Sequence, residues 1–335
     1  MTAGRTLATD ARPTTHRLAS VLLCAVAPLV IAAAAAVVAL SWAPELPSPV
    51  ATHWGPSGPD GFGSVTGLVV GTTVVTLVLA AAATALALAV DRQVTARRMS
   101  AGLATGVAAA LATVLLGTLH AQRGLADARD AGGVGATVAA MVAVGLLAGC
   151  LAAWATPGDT PLPAGGGVDP AAPRVPLAAH ERAAWTRTAT GRPGIVIGGT
   201  AVVLVTGAAL ATRTPGLLAL VAALVALLGC MTVFRVRVDA HGLTARSALG
   251  WPALHVPLEE VEAARVVDVH PLRDFGGWGY RISLGGRVGV VLRRGEAVEV
   301  HRSGDRVVVV TVDDAATGAA LLNTLADRSR SAAPE

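Results

Sequence analysis

The chain has 335 residues, of which 53% are hydrophobic and only 14% charged, against about a quarter charged in soluble domains. Its formal charge is +4 and all 26 basic residues are arginine. A mean hydropathy of +0.61 points to an integral membrane protein, and the lack of lysine excludes Schiff-base chemistry, a phosphate-loop lysine and a lysine general base.

The sequence pI of about 9.7 invites a nucleic-acid reading, but the charge distribution opposes it. From Arg235 onward thirteen arginines balance thirteen acidic residues, so the excess lies earlier, among apolar runs. There it sets membrane orientation, and no nucleic-acid partner is expected. Cys24, Cys150 and Cys230 each lie alone in an apolar run. They read as small buried hydrophobes, with no metal or cofactor implied.

In chain order, residues 1–17 form a cytoplasmic tail. Apolar runs at about 18–43, 65–90, 99–119 and 134–156 make a four-span membrane domain, and those at 195–212 and 215–233 a two-span hairpin (194–233), since about 20 apolar residues cross a bilayer. None of the six carries a charge, which argues against a proton relay, a voltage sensor or an ion-coupled transporter. Pro28 is expected to kink the first span. That span is too long for a signal-peptide core. Gly67 and Gly71 form a GxxxG pair available for helix packing.

Arginines fix the expected orientation. With the N-terminus inside, the inner segments hold Arg5, Arg12, Arg17, Arg92, Arg97, Arg98, Arg174, Arg182, Arg187 and Arg192, and the outer loops only Arg123, Arg129 and Arg213. Ten against three gives N-in and C-in. The loop Leu46–Gly63 then faces outward. Residues 157–193 read as a cytoplasmic linker, beginning with a Pro- and Gly-rich tether. Val175 to Arg192 is either a short interfacial helix with Trp185 at headgroup level or more linker.

After Phe234 continuous apolarity gives way to alternation, in runs such as FRVRVDA, YRISL and RVVVVTV. These are half-buried antiparallel strands, separated by turn signals such as His241-Gly242 and Gly285-Gly286. A final helix begins near Asp313, with Asp313 or Asp314 as its cap. Seven strands closed by one helix, over 234–329 with a tail at 330–335, outline a mainly-β, pleckstrin-homology-like barrel. Within it, the aromatics Trp278 and Tyr280 of DFGGWGYR either cover the barrel mouth from a turn or contact a ligand or lipid headgroup, together with Arg273, Arg281, Arg293 and Arg294.

The string LPSPVATHWGPSGPDGFGS resembles the signature of a small membrane family known as domain of unknown function sixteen-forty-eight. Leu46, Pro47, Pro49, His53, Trp54, Gly58, Asp60, Gly61 and Phe62 carry the match. A lysine commonly closes that pattern, whereas Val65 follows Ser64 here. The module also occurs in Sdp-type immunity and signalling proteins of bacteria, and the tail is similar to bacterial pleckstrin-homology-like domains on membrane anchors. The lysine-free, alanine-rich composition resembles that of actinobacterial proteins. The resemblance implies a bacterial cytoplasmic-membrane protein and no known activity.

The loop's ligand-type side chains, His53 and Asp60, fall short of the three or four that zinc takes. A rigid cap is expected instead: His53 bonded to a backbone group, Trp54 anchored at the interface, Asp60-Gly61 as a turn. No nucleophile elbow, zinc-protease helix or phosphate loop is present, so an enzyme is not expected. The sequence is read as a sensor, immunity-type or envelope-associated protein, with His53, Trp54, Asp60 and Phe62 as its outer binding residues. Its partners are membrane lipids and a protein or peptide. The alternative is a small-solute permease or passive scaffold.

Overall fold

The computed structural model describes residues 16–331 except Pro56, 90–92, Thr160, Ala179 and Leu284. Arg5, Arg12, Arg92 and residues 332–335 therefore lie outside the described residues.

The first apolar run is one 25-residue helix, Arg17–Ser41. It is built from α1 (Arg17–Val21), a π-helical stretch Leu22–Val26 and α2 (Ala27–Ser41). The stretch lies just ahead of Pro28, which has no N–H to give the carbonyl four residues back, and the helix widens there as π-turns do. The Thr105 hydroxyl donates to the Leu23 carbonyl at 2.8 Å.

Three more long apolar helices follow: α3 (Val65–Ala89), α4 (Val94–His120) and α5 (Gly135–Ala155). Then come α6 (Arg192–Ala211) and α7 (Leu217–Thr232). Five helices are long and apolar enough to cross a membrane, which makes this a membrane protein. The sixth run is shorter than expected. Helix α7 has 16 residues, about 24 Å of rise against a hydrocarbon core of about 30 Å.

Helix α4 is the hub, burying Ala101, Ala104 and Ala108 against its neighbours. It meets α5 through glycines that the sequence reading passed over. A Cβ on Gly106 would lie 2.8 Å from the Gly145 carbonyl oxygen, and one on Gly149 2.8 Å from that of Gly102. Two GxxxG pairs thus let the backbones touch. The expected pair at Gly67 and Gly71 does not serve this purpose, because Gly71 faces open space. Gly106→Leu is expected to push α4 from α5 at a cost of about 1–3 kcal/mol, read as a lower unfolding temperature in detergent. An unchanged temperature would contradict the close approach.

Among the described residues the β-rich region has two sheets and no closed barrel. One is antiparallel, in the order β3 (Trp185–Thr190), β4 (Val233–Asp239), β5 (Gly242–Ser247), β6 (Ala253–Val256). The other runs β7 (Val261–Val269), β10 (Gly295–Arg302), β11 (Arg306–Thr311), β9 (Val288–Val291), β8 (Gly279–Ile282), with β11 and β9 parallel. Alternation works as expected: β4 turns Phe234, Val236 and Val238 inward and Arg235 and Arg237 outward. These residues share one core with Val290, Val300 and Val310 of the other sheet and with Ala319 and Leu322 of the closing helix α9 (Ala315–Ser331).

Two expectations for residues 157–193 need correction. Residues 185–190 are neither interfacial helix nor linker but strand β3, with Trp185 opposite Val238 and Thr190 opposite Val233. The α6–α7 hairpin is therefore inserted between two paired strands, and the Gly191 N–H donates to the Thr232 carbonyl at 2.7 Å where it leaves. Only Trp185 and Ala189 of β3 turn inward, so the alternation was too weak to read. The Pro- and Gly-rich stretch is also not a free tether. Ala164 and Asp169 donate to the carbonyls of Glu259 and Glu262 at 2.8 and 2.9 Å. Val168 and Ala172 lie in the shared core.

Candidate functional site

The signature loop folds into a two-stranded hairpin, β1 (Val50–Gly55) and β2 (Gly58–Gly63). Val50 and Ala51 are buried, while His53 and Asp60 are exposed. The chain reverses between Gly55 and Gly58, the latter at φ +115°, so Asp60-Gly61 is strand and not the expected turn. His53 does not bond a backbone group either. Its Nδ1 lies 2.5 Å from Asp60 Oδ1 across the hairpin. Glycine on the partner strand makes room for this pair, since a Cβ on Gly61 would sit 2.8 Å from His53 Cβ.

Beneath that face the hairpin is fixed to the helices. Gln122, fully buried just past the end of α4, accepts the Ala51 N–H at 2.6 Å and donates to the Ala51 carbonyl at 3.1 Å and the Thr118 carbonyl at 3.0 Å. Trp54 is a tie between loops: its indole N–H donates to the Gly132 carbonyl at 3.1 Å. Arg123 donates twice to Glu45 Oε2, at 2.9 and 2.7 Å, and stacks 4.8 Å over the Trp42 ring. The Arg129 guanidinium lies 5.8 Å over Phe62, a cation–π distance. Thus His53, Asp60 and Phe62 present outward, and Trp54 holds them in place.

Sequence reasoning missed Gln122, although it is one of only two glutamines in the chain and stands at a span end. It also missed the Glu45–Arg123 pair, whose members are far apart in sequence. Among the described residues, no group of three or more His, Cys, Asp or Glu side chains is placed to hold a metal ion.

The second predicted pair, Trp278 and Arg281, sits at the other end of α4. Its loop joins α8 (Pro271–Phe275) to β8, and Arg281 Nε donates to the Trp278 carbonyl at 2.7 Å. Both line a cavity of about 440 Å³ against Met99, Ile197, Leu228 and Met231. Met99, at this cavity, and His120, which ends α4 beside Trp42 at the hairpin, are roughly 30 Å apart along the helix, so the two candidate sites do not combine. Two arginines grouped with Arg281 are paired elsewhere, Arg273 with Asp274 at 2.8 Å and Arg293 with Asp313 at 2.6 Å.

Between helices and sheets lies a charged seat that the sequence did not reveal. Buried Glu260 accepts from Arg302 and, at 2.9 Å, from Arg306, both buried, and its other oxygen accepts the Leu162 N–H at 2.9 Å. Burial, with Arg302 beside it, lowers the Arg306 guanidinium from its ordinary value. Nearby, Asp159 accepts the Val94 N–H at 2.7 Å and pairs with buried Arg97 at 3.1 Å. Burial also pushes the Tyr280 phenol up, keeping it neutral. These contacts join the start of α4 to the β-rich region.

Residues 29–77 match the family model described as Domain of unknown function (DUF1648). The match spans the second half of the first helix, the hairpin and the first half of α3. It covers the hairpin but not Gln122 or the β-rich region. No curated protein and no solved structure matches the chain.

Proposed function

We propose that this is a non-enzymatic recognition protein of a bacterial cytoplasmic membrane, of sensor, immunity or envelope-associated type. Its hairpin reads an extracellular peptide or envelope component. In this reading six helices span, with α7 as a short sixth, and both termini are cytoplasmic. The β-rich region is then a pleckstrin-homology-like binding module in an open, two-sheet form, facing a partner inside the cell. One observation carries the reading: exposed His53, Asp60 and Phe62 share a hairpin that buried Gln122 fixes to α4. A preorganised face of this kind loses little entropy on binding. The larger helix-lined groove, of about 780 Å³, is walled mainly by apolar side chains, which favours recognition over a small-solute permease.

Two results test the proposal. In a chain whose native cysteines are replaced, Ser57→Cys should label with an impermeant maleimide from outside, and a cysteine at Arg294 should not. The reverse pattern would refute the orientation. The combined variant H53A/D60N/F62A should reach wild-type levels in the membrane yet behave as a deletion in vivo. Full complementation would contradict a recognition role.

A further inference from the structure

A groove of about 780 Å³ runs between α4, α5 and α7, within the range of about 300–1,000 Å³ usual for ligand sites. Its floor is the glycine contact itself, Gly102 and Gly106 against Gly145 and Gly149, and its walls include Leu103, Val142, Leu146 and Ala223. Both α4 and α5 are long enough to span, so the groove opens at hydrocarbon depth.

One end of the groove is different. Arg98, Trp154 and Trp251 line it there. Trp154 is 82% exposed near the end of α5, the position of an interfacial indole. Arg98 Nε is buried with no hydrogen-bond partner among the described residues, and its Nη2 reaches only the Thr156 carbonyl, at 3.5 Å. A guanidinium carries five donors and no acceptor, so this group is left short of anionic oxygens. An apolar trough whose lining includes an under-satisfied cation and two indoles matches one kind of molecule.

We infer that the groove binds an anionic phospholipid, with one acyl chain along the Gly102–Gly149 floor and its phosphate at Arg98. A peptide would have to satisfy its backbone polar groups in an apolar trough, at a cost of several kcal/mol for each group left unpaired. An acyl chain has no such groups. The phosphate meets the Arg98 guanidinium where it lines the groove, the enclosed Nε not being the contact itself. The site is separate from the outer hairpin and stands or falls independently of its role.

Native mass spectrometry of the detergent-purified full chain, titrated with phosphatidylglycerol or phosphatidylcholine, tests this. Wild type should retain one phosphatidylglycerol about fivefold more strongly than phosphatidylcholine, the factor that one basic residue near the headgroup gives. Arg98→Gln should abolish the preference while still binding lipid, and Ala223→Phe, which fills the groove, should reduce retention of both. Val142→Phe fills the groove from α5 and serves if the α7 variant is not monodisperse. Glycerol phosphate, a headgroup without chains, should not displace the lipid. Equal retention of the two lipids, a preference that survives R98Q, retention unaffected by groove filling, or displacement by glycerol phosphate would each overturn the inference.

Discussion

Glu260→Gln is expected to be the most damaging single change in the β-rich region, costing about 3–5 kcal/mol. Glutamine keeps the shape and leaves an oxygen for the Leu162 N–H, but its amide NH2 then stands where Oε2 accepted, so both the charge and the acceptor for the two guanidinia are lost. That charge faces two buried guanidinia, Arg302 and Arg306. Without it, two like charges stay buried without the carboxylate that both bond, opposed by the more distant Asp159. The contrast is a triple variant, E260L/R302M/R306M, which removes all three charges. Replacing a complete buried ionic set by apolar groups is often neutral or stabilising, so this chain should be far more stable than E260Q. Thermal unfolding of the purified protein, with hydrogen exchange across β7, β10 and β11, reads both. An E260Q chain as stable as wild type would show that the seat does not hold the region together.

Gln122→Leu is the second large effect, at the opposite end of α4. Leucine fits an apolar seat but gives no partner to the Ala51 N–H and carbonyl, and Ala51 is fully buried. Each buried group left unsatisfied costs about 1–3 kcal/mol. The penalty is local, so the hairpin should loosen before the helices do. Exchange at the Ala51 amide should accelerate by orders of magnitude while amides in the middle of α4 stay protected. Gln122→Glu, which keeps an acceptor for the Ala51 N–H but gives up the donor, should fall between. Unchanged protection at Ala51 in Q122L would mean that other contacts hold the hairpin.

What could be read from the sequence follows from how each feature is encoded. Long charge-free runs mark helices directly, and inward Phe234, Val236 and Val238 announce a strand by their spacing. The loop at 46–63 stood out through its own composition. Features that depend on distant partners were not legible. Strand β3 exists because Trp185 and Ala189 meet β4 across an inserted helical hairpin of 42 residues, Gly191 to Thr232. Glycines 102, 106, 145 and 149 look like background in a chain with 38 glycines until two helices are paired. Gln122 looks like a polite end to a span until Ala51, 71 residues away, comes to lie against it. Within the hairpin the contacts differ from those expected: Trp54 ties the hairpin to Gly132, and Asp60 is the partner of His53. Closure was over-read, because alternation specifies strands but not whether two sheets join edges.

The claim that the hairpin is a recognition face is tested most directly by placing a photo-crosslinking residue at Phe62 and irradiating intact cells. The expected result is one discrete product that does not form from Leu151, exposed on α5, and that disappears when His53 and Asp60 are both replaced by alanine. Absence of any product from Phe62, or a product indifferent to His53 and Asp60, would contradict the account.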